Sequence, residues 1–448
     1  MKKKKIYLIS IGLFIAAVVI ICFRHQAKEK NKETKVYYLL ERNGVTARME
    51  EWNTVRSEVN RLIKVIQDNP GNETSLIALA SAYIREARVT GNYMYYDRGA
   101  MKCVSDVLKK NENNFDALSL KAMILLSEHH FPEALITAKK AVSINPYNAF
   151  VYGVLVDGYV EMGDYESAVE NLEKMMSIRP DMRAYARVSY LREIHGDYPG
   201  AIEAMKLAVS AGAPGDESTA WTRVQLAQLY EKTGNTKMAE INHLLTLNER
   251  PGYAYALAGL ARIAVVQEKY DDAIQLYGNA VSQIQDYSLK EELSDVYRLK
   301  GEAGKADAIA RTIVDELNKA LAKEIGEDSA GHYSDRELAY AYLQVKDNDK
   351  ALDHALAEYN RRPKNIDVNE TLAWVYYCRG EFAKALPYIK AAMKTHSKNP
   401  VLLVRCGLIL GKAGEVSTAK PLLQQVLAGN AHLPYGLKSE SLRTLQTL

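Results

Sequence analysis

Between residues 149 and 181, apolar side chains fall on two helical faces separated by a short interruption. Tyr152, Leu155 and Tyr159 are spaced three and four apart, so they share one face of a first helix. Gly163-Asp164-Tyr165 breaks the pattern, and Ala168, Leu172 and Met175 then form the matching face of a second helix. Asn145-Pro146 and Arg179-Pro180 mark the stops, because the residue before a proline avoids the helical region. Ala168 stands where the two helices approach closely, and a larger side chain there would force them apart.

The same marks recur with a period of about 34 residues, ten times between Glu73 and Ala431. Ala134, Ala138 and Ala141 repeat the second face one unit earlier, and Gly196-Asp197-Tyr198 with Ala201 repeats the turn one unit later. Later copies carry Gly234 with Ala239, Tyr270 with Ala273, Gly301 with Ala306, Tyr342 with Ala351, Gly380 with Ala385 and Gly414 with Ala419. A period of this length predicts stacked helix-turn-helix units, an all-α solenoid, rather than one globular core.

These residues resemble the tetratricopeptide repeat (TPR) family over about four-fifths of the chain. The resemblance implies a right-handed superhelix of about ten repeats with a concave groove that binds other proteins. Repeats one to seven are expected over residues 73–325, a break at 326–331, and repeats eight to ten over 332–433. The first copy carries extra residues, Val89 to Tyr96, expected in its turn. The seventh has a long second helix, Ala303 to Glu324, and the insertion after it is expected to bend the solenoid or split it into two arms. Residues 46–72 and 434–448 read as capping helices, which a solenoid needs because its outer faces have no neighbour.

The N-terminus departs from the repeat. Residues 1–5 form a basic tail, residues 6–23 an apolar run, and residues 24–45 a charged juxtamembrane linker. The run is near the lower limit for a membrane-crossing helix. It predicts an uncleaved, single-pass signal anchor that touches the lipid bilayer, with the repeats on the non-cytosolic side. A cleaved signal peptide is the competing reading.

Charge changes the picture further. The whole chain is formally +3, but residues 1–35 hold 9 basic and 2 acidic residues, leaving the remainder at −4. The repeats lack the basic field that nucleic-acid binding needs. Four cysteines are too few for a disulfide framework. Cys103, Cys378 and Cys406 are expected to be buried free thiols, with a Cys378–Cys406 pair as the alternative.

The search for chemistry yields no catalytic residue, cofactor site or metal site, and no small-molecule substrate. Glu128-His129-His130 is metal-like in composition, but adjacent helical histidines point apart, so a solvated turn is expected. Gly301 to Lys305 lacks the spacing of a phosphate loop.

A binding surface is found by subtraction. Beside the packing face of each first helix, the chain offers Arg183 and Tyr190, then Trp221, then Tyr255 and Arg262. Glu291, Asp295 and Arg298 follow, then Tyr333, Arg336 and Tyr340 on one helix face, then Asp367, Glu370, Trp374 and Tyr377. Aromatics and arginine are the residues most enriched at interface hot spots. Neither Arg336 nor Trp374 is expected to belong to the packing face. Where some relatives clamp a terminal carboxylate with lysine, this chain is basic only at Arg336, so tail capture of that kind is not expected.

The expected function is a membrane-anchored scaffold that holds a protein or extended peptide in its groove. The alternative is a regulatory or accessory subunit that controls a catalytic partner, itself without catalysis. Ala168→Leu should destabilise the array by about 1–3 kcal/mol. Because repeat units couple mainly to neighbours, hydrogen-exchange protection should fall chiefly over residues 115–214. Uniform loss along the chain would contradict a stacked array.

Overall fold

The computed structural model describes residues 18–19, 36–325, 331–429 and 431–448. It divides into two units, Met1–Leu40 and Glu41–Leu448. Residues 18 and 19 of the first unit are helical. Among the described residues no helix is long and apolar enough to cross a membrane, which corrects the expected single-pass localisation and the sidedness built on it. The apolar run 6–23, apart from residues 18 and 19, lies outside the described residues.

The second unit is built from helices alone among its described residues. A short 3-10 helix at Thr46–Arg48 precedes its first α-helix, α1 (Glu50–Asp68). Ten hairpins follow. The first five pair α2 (Glu73–Thr90) with α3 (Tyr93–Lys110), α4 (Phe115–Ser127) with α5 (Phe131–Ile144), α6 (Ala149–Met162) with α7 (Tyr165–Ile178), α8 (Met182–Ile194) with α9 (Tyr198–Ser210), and α10 (Glu217–Lys232) with α11 (Thr236–Glu249). The next five pair α12 (Ala254–Val266) with α13 (Tyr270–Gln283), α14 (Tyr287–Leu299) with α15 (Ala303–Ile325), α16 (Asp335–Gln344) with α17 (Asn348–Arg361), α18 (Ile366–Cys378) with α19 (Phe382–Ala392), and α20 (Pro400–Lys412) with α21 (Val416–Ala428). The closing helix is α22 (Leu437–Thr447).

Local chemistry explains the regular hairpins. Asn or Asp side chains accept from backbone amides at many helix starts, for example Asn148 from Phe150, Asp164 from Ser167 and Asp181 from Arg183 and Ala184. Every hairpin turn contains one residue at positive φ: Gly91, His129, Gly163, Gly196, Gly234, Glu268, Gly301, Lys346, Gly380 and Gly414. Glycine reaches this left-handed region without a Cβ clash, whereas His129, Glu268 and Lys346 do so at a cost. Each second helix then buries at least one alanine completely, at the same place in every hairpin: Ala100, Ala134, Ala168, Ala201, Ala239, Ala273, Ala306, Ala351, Ala385 and Ala419. The small residue sets the interhelical distance in all ten hairpins.

Successive first helices also approach one another, as α4 does α6 and α16 does α18, so the stack curves with first helices inside. This curvature brings chain segments about six repeats apart into contact. The hairpin turn of each of the first five repeats meets the loop or segment that follows the repeat five further on. At repeat one, the Gln285 amide donates to Thr90 O at 3.0 Å. At repeat two, the Tyr333 amide donates to Glu128 O at 3.2 Å. At repeat three, Asn365 Nδ2 donates to Val160 O and Glu161 O at 3.2 and 3.0 Å, the Ile366 amide donates to Tyr165 Oη at 3.1 Å, and Arg362 pairs with Glu161. At repeats four and five, a Cβ on Gly196 or Gly234 would lie 2.6 Å from His396 O or 2.2 Å from Gly429 O. A continuous seam therefore joins one turn of the solenoid to the next.

Three sequence expectations change. The extra residues of the first copy lengthen α2 and α3 to 18 residues each and leave only Gly91 and Asn92 between them. The insertion after α15 does not split the solenoid, because Glu41–Leu448 forms one compact unit and the seam keeps its register on both sides. The Glu128–His130 turn is not solvated: His130 is buried, its Nε2 lies 2.6 Å from Gly331 O, and its ring meets that of Tyr333 at 4.3 Å.

The seam can be isolated by two substitutions with the same backbone cost. Gly163 and Gly380 share a positive φ of 75° and 76°. A Cβ on Gly163 would meet the Lys364 carbonyl carbon at 2.3 Å, whereas nothing lies within 4 Å of one on Gly380. Gly163→Ala should therefore cost about 1–3 kcal/mol more than Gly380→Ala in denaturant unfolding. Equal losses would mean that the seam contributes nothing.

Candidate functional site

The first helices present their unpacked faces to the inside of the curve. Tyr190 on α8 is 40% exposed, yet its phenol is pushed well above its ordinary value, first by burial and then by Asp367 and Glu161. A side chain that meets solvent while surrounded by protein lies in a concave space. Asp367 and Tyr190 come from repeats nine and four, so the seam places them on the same inner wall.

Many of the expected groove residues are already engaged within the chain. Arg262 on α12 bonds Glu231 at 2.6 Å and Glu292 at 3.1 Å. Burial opposes both charges, yet the pairing wins: Arg262 is raised well above its ordinary value, and Arg262 with His243 holds Glu231 at about 2. Tyr255 donates to Asp286 at 2.9 Å. Arg298 on α14 donates to Ser294 Oγ at 2.9 Å and to Gln344 O in the next repeat at 3.2 Å. Trp221 is 37% exposed with the Arg88 guanidinium 5.8 Å from its ring, and Arg183 is exposed beside Phe150.

The Tyr333, Arg336, Tyr340 trio is not one face. Tyr333 precedes α16 and sits at the seam, with Arg361 over its ring at 4.4 Å. Arg336 donates to Thr371 Oγ1 at 3.2 Å. Trp374 is also not free of packing. It stacks on Tyr377 at 4.8 Å and lies against the core of repeats eight to ten, so truncating it costs stability. Tyr377 is buried, and its hydroxyl donates to Glu440 of the closing helix at 2.6 Å.

The residue that organises this region is Arg405 on α20, which pattern reasoning missed. Its Nη1 donates to Tyr340 Oη at 2.7 Å and Glu370 Oε1 at 3.1 Å, and its guanidinium covers Trp374 at 4.9 Å and Tyr340 at 5.2 Å. The available signal was a lone charge inside the apolar run Val401 to Leu410. Among the thiols, Cys103 and Cys406 are buried and free as expected, whereas Cys378 is free but exposed.

One stretch of the inner wall gathers carboxyls with few basic partners, Arg298 beside Asp295 at 3.6 Å being one. Glu291 on α14 makes no ion pair among the described residues. Burial, reinforced by Asp295, Glu337, Asp286 and Glu292, pushes its carboxyl up to about 8. Burial likewise raises Asp295 to about 6, although it accepts from the Tyr435 amide at 3.2 Å.

Ten hairpins with a buried alanine, a left-handed turn and inward first helices define a TPR-like helical repeat protein. A family model described as ChAPs, the Chs5p-Arf1p-binding proteins, matches residues 91–271. No curated protein matches the chain. Among solved structures, the chain is similar to the APC/C hetero-tetramer Cut9-Hcn1, at 15% identity and TM-score 0.45 over 85% of this chain. The chain spans only 60% of that protein. It is also similar to the human IFIT1 dimer with PPP-AAAA, at 13% identity and TM-score 0.47 over 78% of this chain and 80% of that one. A tetratricopeptide repeat protein from Parabacteroides merdae shows 16% identity and TM-score 0.41 over 54% of this chain and 91% of that one.

Glu291 gives a pH test of this wall. Its carboxyl ionises at about 4.5 in an unfolded chain but at about 8 when folded. The native state therefore holds the extra proton between these values, and stability falls as pH rises through them. Glu291→Gln should stabilise the protein at pH 8 by at least about 1 kcal/mol. The gain should shrink below pH 5. A gain independent of pH would show that Glu291 is not desolvated.

Proposed function

We propose that the chain is a scaffold that holds an extended segment of a partner protein along the inner wall of its first helices, and that the segment is cationic where it crosses repeats seven and eight. The carrying observation is Glu291, a carboxyl kept among other carboxylates without a basic neighbour bonded to it. A lysine or arginine side chain supplies the missing charge. Tyr190 and Trp221, both partly exposed on the same wall, offer flat surfaces for the segment's apolar groups. The matching family carries the binding of Chs5p and Arf1p in its description, which supports protein partners here as well.

The reading is tested with a library of extended peptides displayed on phage and selected on the full chain. Selected sequences should be rich in lysine and arginine, and Glu291→Gln with Asp295→Asn should weaken their binding by about 2 kcal/mol. Binding should also release protons at pH 7, because a cation next to Glu291 lowers its pKa. Titration calorimetry in two buffers of different ionisation enthalpy reads this release. Selection of acidic peptides, or binding insensitive to both carboxyls, would sink the proposal.

A further inference from the structure

The seam brings one side chain against two others that lie about two hundred residues further along the chain. His129 lies in the α4–α5 turn, His332 in the segment before α16, and Glu337 in the first turn of α16. One ligand-type atom from each lies within 4.8 Å of the others. The two imidazole rings are 4.2 Å apart and tilted by 46°.

Hydrogen bonds set the tautomers. His129 Nδ1 lies 2.9 Å from Tyr333 O, and His332 Nδ1 lies 3.0 Å from Ser127 O. A carbonyl only accepts, so Nδ1 carries the proton in both rings and Nε2 carries the lone pair. Metal-binding histidines characteristically use this arrangement, in which the second ring nitrogen donates to a carbonyl and fixes the ring. Glu337 adds an independent observation, because its Oε2 is buried and accepts no hydrogen bond. The backbone adds another. His129 has φ 62°, at the turn position where seven of the ten hairpins place glycine. A bulky ring is held in a conformation that disfavours it.

We propose that His129, His332 and Glu337 bind a zinc ion that clasps one turn of the solenoid to the next. Two imidazole nitrogens and a carboxylate oxygen are a zinc donor set, with a fourth position left for water. At bond lengths of about 2.0–2.2 Å the three ligand atoms must draw together, which tightens the α4–α5 turn against the start of α16. The site closes the seam beside the insertion that follows α15.

The test uses the full chain and zinc chloride. Equilibrium dialysis with elemental analysis should find one tightly held zinc per chain. His129→Gly fits the left-handed turn, and Glu337→Gln keeps the side-chain shape, so both variants should fold. Each should lower zinc affinity at least about tenfold, while His354→Ala, outside the cluster, should leave it unchanged. On unmodified protein, zinc should slow amide exchange at residues 127–130 and 331–337 and little elsewhere, which keeps the test independent of whether the variants fold. Failure to bind zinc at micromolar concentration, uptake equal in wild type and both variants, or protection spread away from these segments would each overturn the site. A negative result here leaves the peptide-binding wall untouched, because that wall does not require the metal.

Discussion

The curvature of the stack follows from how closely paired helices can pack, and a buried alanine fixes that distance in every hairpin. Ten completely buried alanines hold ten second helices against their partners, and the first helices are drawn together on the inner side. With about six repeats to a turn, the hairpin turns of the first five repeats arrive against loops near residues 285, 332, 364, 396 and 429. The contact is close because glycine occupies most of these turns. At Gly163 and Gly234 no side chain of any size fits between the two backbones. The residue that lets the backbone turn is also the one that lets the next turn of the solenoid approach.

Closing the seam changes the electrostatics inside. Side chains from repeats three, four and nine come to share one wall, as Glu161, Tyr190 and Asp367 do. In such a space ions are removed from bulk water, so charge is tolerated only where it is paired. Arg262 with Glu231 and Glu292, and Arg405 with Glu370 and Tyr340, meet that condition. Glu291 does not, and its raised pKa is the measure of the difference.

The local half of this structure was legible in the chain and the non-local half was not. Periodicity places the hairpins, the alanines and the long α15, because each depends on residues within one or two turns of helix. Tyr333 illustrates the limit. Its spacing to Arg336 and Tyr340 fits a helix face, but Ser334 precedes α16 as its cap, and Tyr333 is held instead by Arg361 and by the backbone of Glu128. His129 and His332 fail for the same reason. Nothing in the spacing of either with its sequence neighbours reveals a partner two hundred residues away. The groove face itself was readable as positions. Which of those positions are spent on internal pairing depends on cross-repeat distances such as Arg298 to Gln344.

The inner wall therefore contains two kinds of polar group with different consequences. Those of the first kind, Arg262, Arg405 and Tyr377, are paired within the chain, and removing one strands its partner in a desolvated place. Their loss is read as instability before any partner is present. Glu291, of the second kind, lowers the stability of the free chain at neutral pH, because the folded state must hold a proton there that the unfolded chain releases. A scaffold selected for stability alone would replace such a group. Asp295 lies between the two, since it pairs with Arg298 at 3.6 Å and accepts the amide of Tyr435, from the segment that leads into α22, yet burial still raises it. The segment that leads into α22 therefore occupies one acceptor site of Asp295, so this part of the surface is built by the chain's closing element as well as by the first helices.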